Sequence, residues 1–196
     1  MEDFYDILAD DYDELYGEEQ WVKYRFMDIH MDLILPAMIL DNGCGTGILY
    51  EYLSSSHRKP MQYICLDPST GMLKKAREKL GNPFTLFINA YAENLPFRDK
   101  VFDYVFSITV WNNILDKAES LREMKRVVKQ EGLIIISSRI VEPVMPPDID
   151  SEFTYMGTCI DYFYVNRKIA VNPGTMCVYD HRARRYMVVS RDMARD

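Results

Sequence analysis

Histidine and cysteine are scarce in this chain, three and four in 196 residues. Cys44, Cys65, Cys159 and Cys177 form no CxxC pair and no cluster with histidine, so no metal site is expected. No apolar run approaches the ~20 residues that a membrane span needs. The first twenty positions hold nine acidic residues and neither lysine nor arginine, which is unlike the basic start of a signal peptide. No Gly-Lys-Ser/Thr occurs, which excludes a nucleoside triphosphate loop. Positive charge is also short: 23 Lys and Arg against 30 Asp and Glu leave a formal charge of −7. A phosphate backbone would repel such a chain, so a nucleic-acid partner is disfavoured. The one local basic stretch is formed by Arg182, Arg184, Arg185, Arg191 and Arg195. Repeats and low-complexity tracts are absent.

What is present is an ordinary globular composition, with 48% hydrophobic and 27% charged residues, long enough for one domain with a real core. Phe4, Ile7, Leu8, Tyr12 and Leu15 follow helical spacing, and a second helix is expected over 18–35, stopped by Pro36. From there strands and helices alternate. Strands are predicted over 37–41, 62–66, 84–88, 101–108 and 133–137, and helices over 48–55, 69–80 and 117–129. Ser69 is a plausible N-cap, Gly81 a plausible stop, and Gly132 lies at the end of the last helix. Short apolar strands alternating with helices imply a parallel sheet covered on both faces. Pro143, Pro146 and Pro147 mark a loop, after which 175–180 and 185–190 read as an antiparallel hairpin. Cys44 and Cys65 fall in or beside buried strands, which suggests reduced thiols in a cytoplasmic protein.

Two segments carry chemistry. Ile39-Leu40-Asp41-Asn42-Gly43-Cys44-Gly45-Thr46-Gly47 ends a strand and opens a helix through Asp-x-Gly-x-Gly-x-Gly. Glycine is required where the backbone turns sharply and lies against a ligand, and open α/β sheets bind nucleotides at this crevice. The spacing is not the Gly-x-Gly-x-x-Gly of a pyrophosphate cradle, which makes a NAD-dependent dehydrogenase a poor alternative. Twenty residues past Gly47, Asp67 ends the second strand, where a carboxylate can accept hydrogen bonds from ribose hydroxyls. The plain alternative is that Asp67-Pro68-Ser69 only caps the next helix.

With these two segments, Ala92-Glu93-Asn94-Leu95-Pro96-Phe97, Phe102–Ser107, Met124–Leu133 and Tyr12-Asp13 stand in order at suitable gaps. Over residues 4–139 the chain resembles the class I S-adenosylmethionine (SAM)-dependent methyltransferases, in particular the small-molecule branch related to ubiquinone/menaquinone biosynthesis methyltransferases. The resemblance implies a Rossmann-like α/β fold: a mostly parallel seven-stranded sheet ending in an antiparallel hairpin, with helices on both faces. It also implies a single methyltransferase domain, comprising an N-terminal helical lid (1–35), a SAM-binding core (36–139) and a C-terminal part with the hairpin (140–196).

By the same resemblance, Asn42, Gly43 and Gly45 would hold the methionine end of SAM and Asp41 its amino group. Asp67 would take the ribose, Met72 would pack on the adenine, and Ala92 and Glu93 would meet the adenine edge. Ser107 and Thr109 would lie beneath the sulfonium, and Tyr12 would belong to the lid. Tyr91 stands where relatives carry Asp, so the adenine amino group would need another acceptor, such as Glu93 or a backbone carbonyl.

The expected reaction is methyl transfer from SAM to a small-molecule acceptor by direct in-line displacement, leaving S-adenosylhomocysteine (SAH). No catalytic residue is assigned: the Asn/Asp-Pro-Pro-Tyr/Phe motif is absent after the fourth strand, where Thr109-Val110-Trp111-Asn112-Asn113 stands instead. Trp111 and Asn112 are expected to face the acceptor pocket. Phe4, Tyr5, Tyr12, Tyr16, Trp21, Tyr24 and Phe26 offer an aromatic lid, most of which also suits plain packing onto the sheet. An acidic entrance would favour a cationic or neutral acceptor. His30 reads as a satisfied core or interface residue, and His57 and His181 as surface residues. A tRNA- or protein-directed methyltransferase working with a partner, and a non-catalytic SAM-binding module, remain as alternatives. The acceptor and the oligomeric state are not legible.

Overall fold

A computed structural model of the chain describes residues 2–31, 33–55, 59–139, 152–167, 175–180, 183 and 185–190. The element order is α1 (Glu2–Leu8), α2 (Tyr12–Met31), β1 (Met38–Asn42), α3 (Ile48–Ser55), β2 (Gln62–Asp67), α4 (Thr70–Leu80), β3 (Thr85–Asn89) and β4 (Phe102–Ser107). A 3-10 turn (Trp111–Asn113), α5 (Lys117–Val127), β5 (Val128–Ser138), β6 (Thr154–Cys159), β7 (Asp161–Val165), β8 (Thr175–Asp180) and β9 (Arg185–Ser190) follow.

Seven strands form one sheet in the order β3-β2-β1-β4-β5-β7-β6. The pairs from β3 to β5 are parallel. Strand β7 runs antiparallel to both β5 and β6, so β6 points the same way as the other five and β7 alone is reversed. Alternation along each strand divides the core in two. Ile39, Tyr63, Cys65, Tyr104, Phe106 and Ile135 face α2, α3 and α4, whereas Leu40, Ile64, Leu66, Val105, Ile134 and Ile136 face α5 and Trp111. Both faces are buried, which is why the strands read as continuous apolar runs.

The order reverses between β2-β1 and β4, and chain crossovers to either side leave a crevice at the carboxyl ends of these strands. The Ser69 cap is as expected, its Oγ accepting the Met72 N–H at 3.1 Å.

The structure departs from the sequence expectations in four places. Residues 12–31 form one helix, so the interruption near the N-terminus falls at 9–11, before Asp13 and Glu14 in the first turn of α2. Helix α5 ends at Val127, and Gly132 lies inside the long strand β5 instead of stopping the helix. The hairpin that completes the main sheet is β6–β7, with Ile160 alone between the strands; it was not anticipated. The expected 175–190 hairpin exists as a separate two-stranded sheet, β8–β9.

Finally, Cys44 and Cys65 are free and buried, whereas Cys159 and Cys177 are joined by a disulfide. Disulfides are rare in cytosolic proteins, so the thiol argument for a cytoplasmic location does not extend to this pair. No described helix is long and apolar enough to cross a membrane. Pro143, Pro146, Pro147, His57, His181, Arg182, Arg184, Arg191 and Arg195 lie outside the described residues.

Candidate functional site

A cavity of about 430 Å³ opens in the crevice. Its wall follows the sheet order: Tyr91, Ala92 and Glu93 after β3, Asp67 to Ser69 and Met72 after β2, Asn42, Gly43 and Gly45 after β1, and Ile108 to Val110 after β4. The cavity therefore runs along the carboxyl edge from β3 to β4. Tyr5 and Tyr12 from the N-terminal helices, and Asn113 to Leu115, complete it.

Local geometry explains the glycines. Gly45 has φ +53 and lines the cavity, and a Cβ there would meet no protein atom within 4 Å, only the open space of the site. Gly43 has φ +86, and its missing Cβ would fall 2.3 Å from Val110 Cγ2, so its absence lets the β1 and β4 turns close on each other.

Asp67 knits the turn together. Its Oδ2 accepts the Gly45 N–H and its Oδ1 the Ser69 N–H, each at 2.9 Å. The plain reading, a carboxylate that caps the helix entrance, is thus true of one oxygen, and the other fixes the glycine turn. Burial pushes its pKa up to about 6, opposed by the amides of Ser69 and Gly45 and reinforced by the charge of Asp6.

Asp41 and Ser107 do not reach the wall. Asp41 sits behind it, accepting the Tyr63 hydroxyl at 2.5 Å, and burial raises its pKa to about 7 against that hydrogen bond. Ser107 is buried at the end of β4. The other nine candidates (Tyr12, Asn42, Gly43, Gly45, Asp67, Met72, Ala92, Glu93 and Thr109) all line the cavity.

Asn42 is fully buried there, and neither side-chain atom has a partner among the described residues. A buried amide left with both groups unmatched is costly unless a ligand matches them. Glu93 Oε1 accepts the amides of Leu115 and Asp116 at 3.0 and 3.3 Å, so this carboxylate braces the far wall.

Helix α1 and the start of α2 border the cavity through Tyr5 and Tyr12. Tyr5 OH accepts from Asn113 Nδ2 at 2.9 Å on one side of the cavity. On the other, Asp6 Oδ1 accepts the Ser69 hydroxyl at 2.5 Å and the Gly71 N–H at 2.7 Å, and these bonds, the first above all, hold its pKa low. Asp10 pairs with Lys75, and Asp13 with Lys79 and Thr46. Three of the acidic residues expected to make an acidic entrance, Asp6, Asp10 and Asp13, are therefore latched onto α4.

Trp111 and Asn112 are corrected: Trp111 is packed in the core beneath α5, and Asn112 Oδ1 accepts from Ser138 Oγ and the Arg139 N–H. His30 faces the Phe26 carbonyl through Nδ1 at 2.8 Å, a satisfied ring as expected. Among the described residues no group of His, Cys, Asp and Glu could hold a metal ion. Sequence reasoning passed over Asn113, Ile114 and Leu115, for which the only signal was their position just after β4.

Residues 40–136 match the family of methyltransferase domains. The chain is 38% identical over 130 residues to a malonyl-[acyl-carrier protein] O-methyltransferase of Geobacter sulfurreducens, covering 64% of this chain and 47% of that protein. It is 33% identical over 116 residues to a ubiquinone/menaquinone biosynthesis C-methyltransferase of Campylobacter jejuni, covering 57% and 48%. The chain thus spans about half the length of the curated relatives it matches. Among solved structures, a Haloferax volcanii methyltransferase in complex with the Trm112 activator superposes with a TM-score of 0.63 at 22% identity, covering 69% of this chain and 60% of that one, which bears on the fold alone. With the strand order and the glycine turn, these matches place residues 40–136 in the class I SAM-dependent methyltransferases.

Proposed function

We propose that this chain binds SAM along the carboxyl edge of its sheet and transfers the methyl group to a small-molecule acceptor by in-line displacement. The observation that carries the reading is the pairing of an open glycine turn at Gly45 with the unmatched, buried amide of Asn42 in one cavity. The residues fit such a cofactor. Asn42, Gly43 and Gly45 would hold the methionine end, with Asp41 behind them, and Asp67 would accept from the ribose. Met72, Ala92 and Glu93 would border the adenine, and Thr109, with Ser107 behind it, would lie near the sulfonium under the Tyr12 lid.

When bound, SAM supplies a methyl carbon already activated by the sulfonium, so an acceptor lone pair forms the new bond as the S–C bond breaks. The chain's own task is then alignment and exclusion of water, and alignment alone can contribute ~7–11 kcal/mol in favourable cases. Tyr5 and Tyr12 close the cavity from above and bring no charge of their own to a neutral nucleophile's path. A strapped cavity of this size favours a small acceptor, or one appended to a slender arm, over a folded polymer. The Haloferax neighbour, solved in complex with an activator, favours a second reading in which a partner chain completes the protein.

The test is an untargeted screen of cell extract with isotopically methyl-labelled SAM. The proposal expects a labelled metabolite of low mass from the purified chain alone. Label appearing only in protein or RNA, or only after a partner is added, would favour the second reading instead.

A further inference from the structure

Behind the β4 end of the cavity lies a buried ionic network. Lys23 of α2 and Asp161 at the start of β7 are both 0% exposed, and Lys23 Nζ lies 3.1 Å from Asp161 Oδ1. Lys23 also donates to Thr109 Oγ1 at 3.0 Å and pairs with Glu19 at 2.7 Å. Asp161 Oδ2 accepts the hydroxyls of Thr109 and Ser137, each at 2.7 Å, and Ser137 Oγ accepts the Thr109 N–H at 2.8 Å. Glu19 in turn lies 3.6 Å from the exposed Arg139.

Three of these bonds end on Thr109, a β-branched residue at φ +65. Such a conformation persists only where surroundings impose it, and it concentrates at functional sites. Stability does not explain the network, since a buried ion pair commonly gives way to apolar side chains without loss. Thr109 is moreover the point where the network meets the cavity, at the end opposite Ala92 and Glu93.

Resting on the SAM-binding reading above, we infer that Lys23 and Asp161 are a positioning pair that locks Thr109 in its left-handed conformation and so fixes the floor on which the donor methyl carbon and the acceptor meet. The tight connection through Ile160 delivers Asp161 to the carboxyl edge of the sheet, and the i, i+4 spacing of Glu19 and Lys23 delivers the cation from above.

The test uses SAM carrying a carbon-13 methyl group, read by NMR, with adenosine as a probe of the opposite end of the cavity. In the wild-type protein the bound S-methyl signal should be a single sharp line showing a nuclear Overhauser contact to the Thr109 methyl. In Asp161→Asn that contact should vanish and the line broaden or split, while adenosine affinity stays within about twofold, as expected for independent sites. Should Asp161→Asn fail to fold, the Lys23→Met/Asp161→Leu double variant, which removes the charges together, replaces it with the same expectation. An unchanged S-methyl signal in a folded variant overturns the inference, as does a parallel loss of SAM and adenosine affinity with a lower melting temperature. Failure of the wild-type protein to bind SAM sinks the underlying reading instead.

Discussion

Asp67 does two things at once, and its replacement separates them. One carboxylate oxygen holds Gly45 and the other Ser69, so Asp67→Ala leaves the buried Ser69 amide and the half-buried Gly45 amide without this acceptor. Unsatisfied donors of this kind cost roughly 1–3 kcal/mol, which should appear as a lower midpoint in urea unfolding. SAH affinity should fall about tenfold or more through the lost contact to ribose. The Gly43→Ala substitution tests the glycine turn by steric means. At φ +86 with Val110 at 2.3 Å, the added methyl should destabilise by roughly 1–3 kcal/mol, and Val110→Ala in the same chain should restore only the part owed to the clash.

At this scale the sequence was informative wherever spacing encodes backbone shape. Gly43, Gly45 and Asp67 stand where the motif put them. It was uninformative where function depends on long-range convergence, as with Lys23 and Asp161, separated by most of the chain and hidden in segments that read as helix and tail.

Among the elements, α1 is the one whose role rests on a few polar contacts. It crosses the cavity between Asn113 and the start of α4, held by Tyr5 and Asp6. Asp6→Ala should release one side, so protease cleavage before α2 should quicken several-fold while the melting temperature of the rest stays put. Saturating SAH should restore protection if the lid closes on the cofactor. The continuous apolar runs that predicted β1, β2 and β4 were reliable because those strands are buried on both faces. Strand β6 was illegible for a different reason: it is an edge strand of mixed character, and burial along Thr154–Cys159 recurs every third residue instead of alternating with the strand period of two. Strand β7 is uniformly buried and apolar after Asp161, but no described helix flanks it to continue the strand–helix alternation by which the equally short β1 and β3 were read.

Across the whole molecule, the two raised carboxyl groups make a pH prediction. Asp41 and Asp67 have native pKa values of about 7 and about 6, above their ordinary value of 3.8. The native state therefore binds protons more tightly at these sites than the unfolded chain does. Their contribution to stability is greatest below about pH 4 and is lost as pH rises through 6 to 7. In Asp41→Asn that fall should shrink, as unfolding followed between pH 5 and 8 would reveal. A cationic ligand favours the charged carboxylates, so SAM binding near pH 6.5 should release protons, measurable as a dependence of binding heat on the ionisation enthalpy of the buffer.

The central claim is that the cavity at the carboxyl edge receives an adenosyl sulfur compound. Calorimetric titration of the purified chain with SAH, and separately with NAD, tests it most directly. The account predicts one-to-one binding of SAH, markedly weakened by Asp67→Ala, with no heat from NAD; absence of SAH binding, or affinity for SAH indifferent to Asp67, would contradict it.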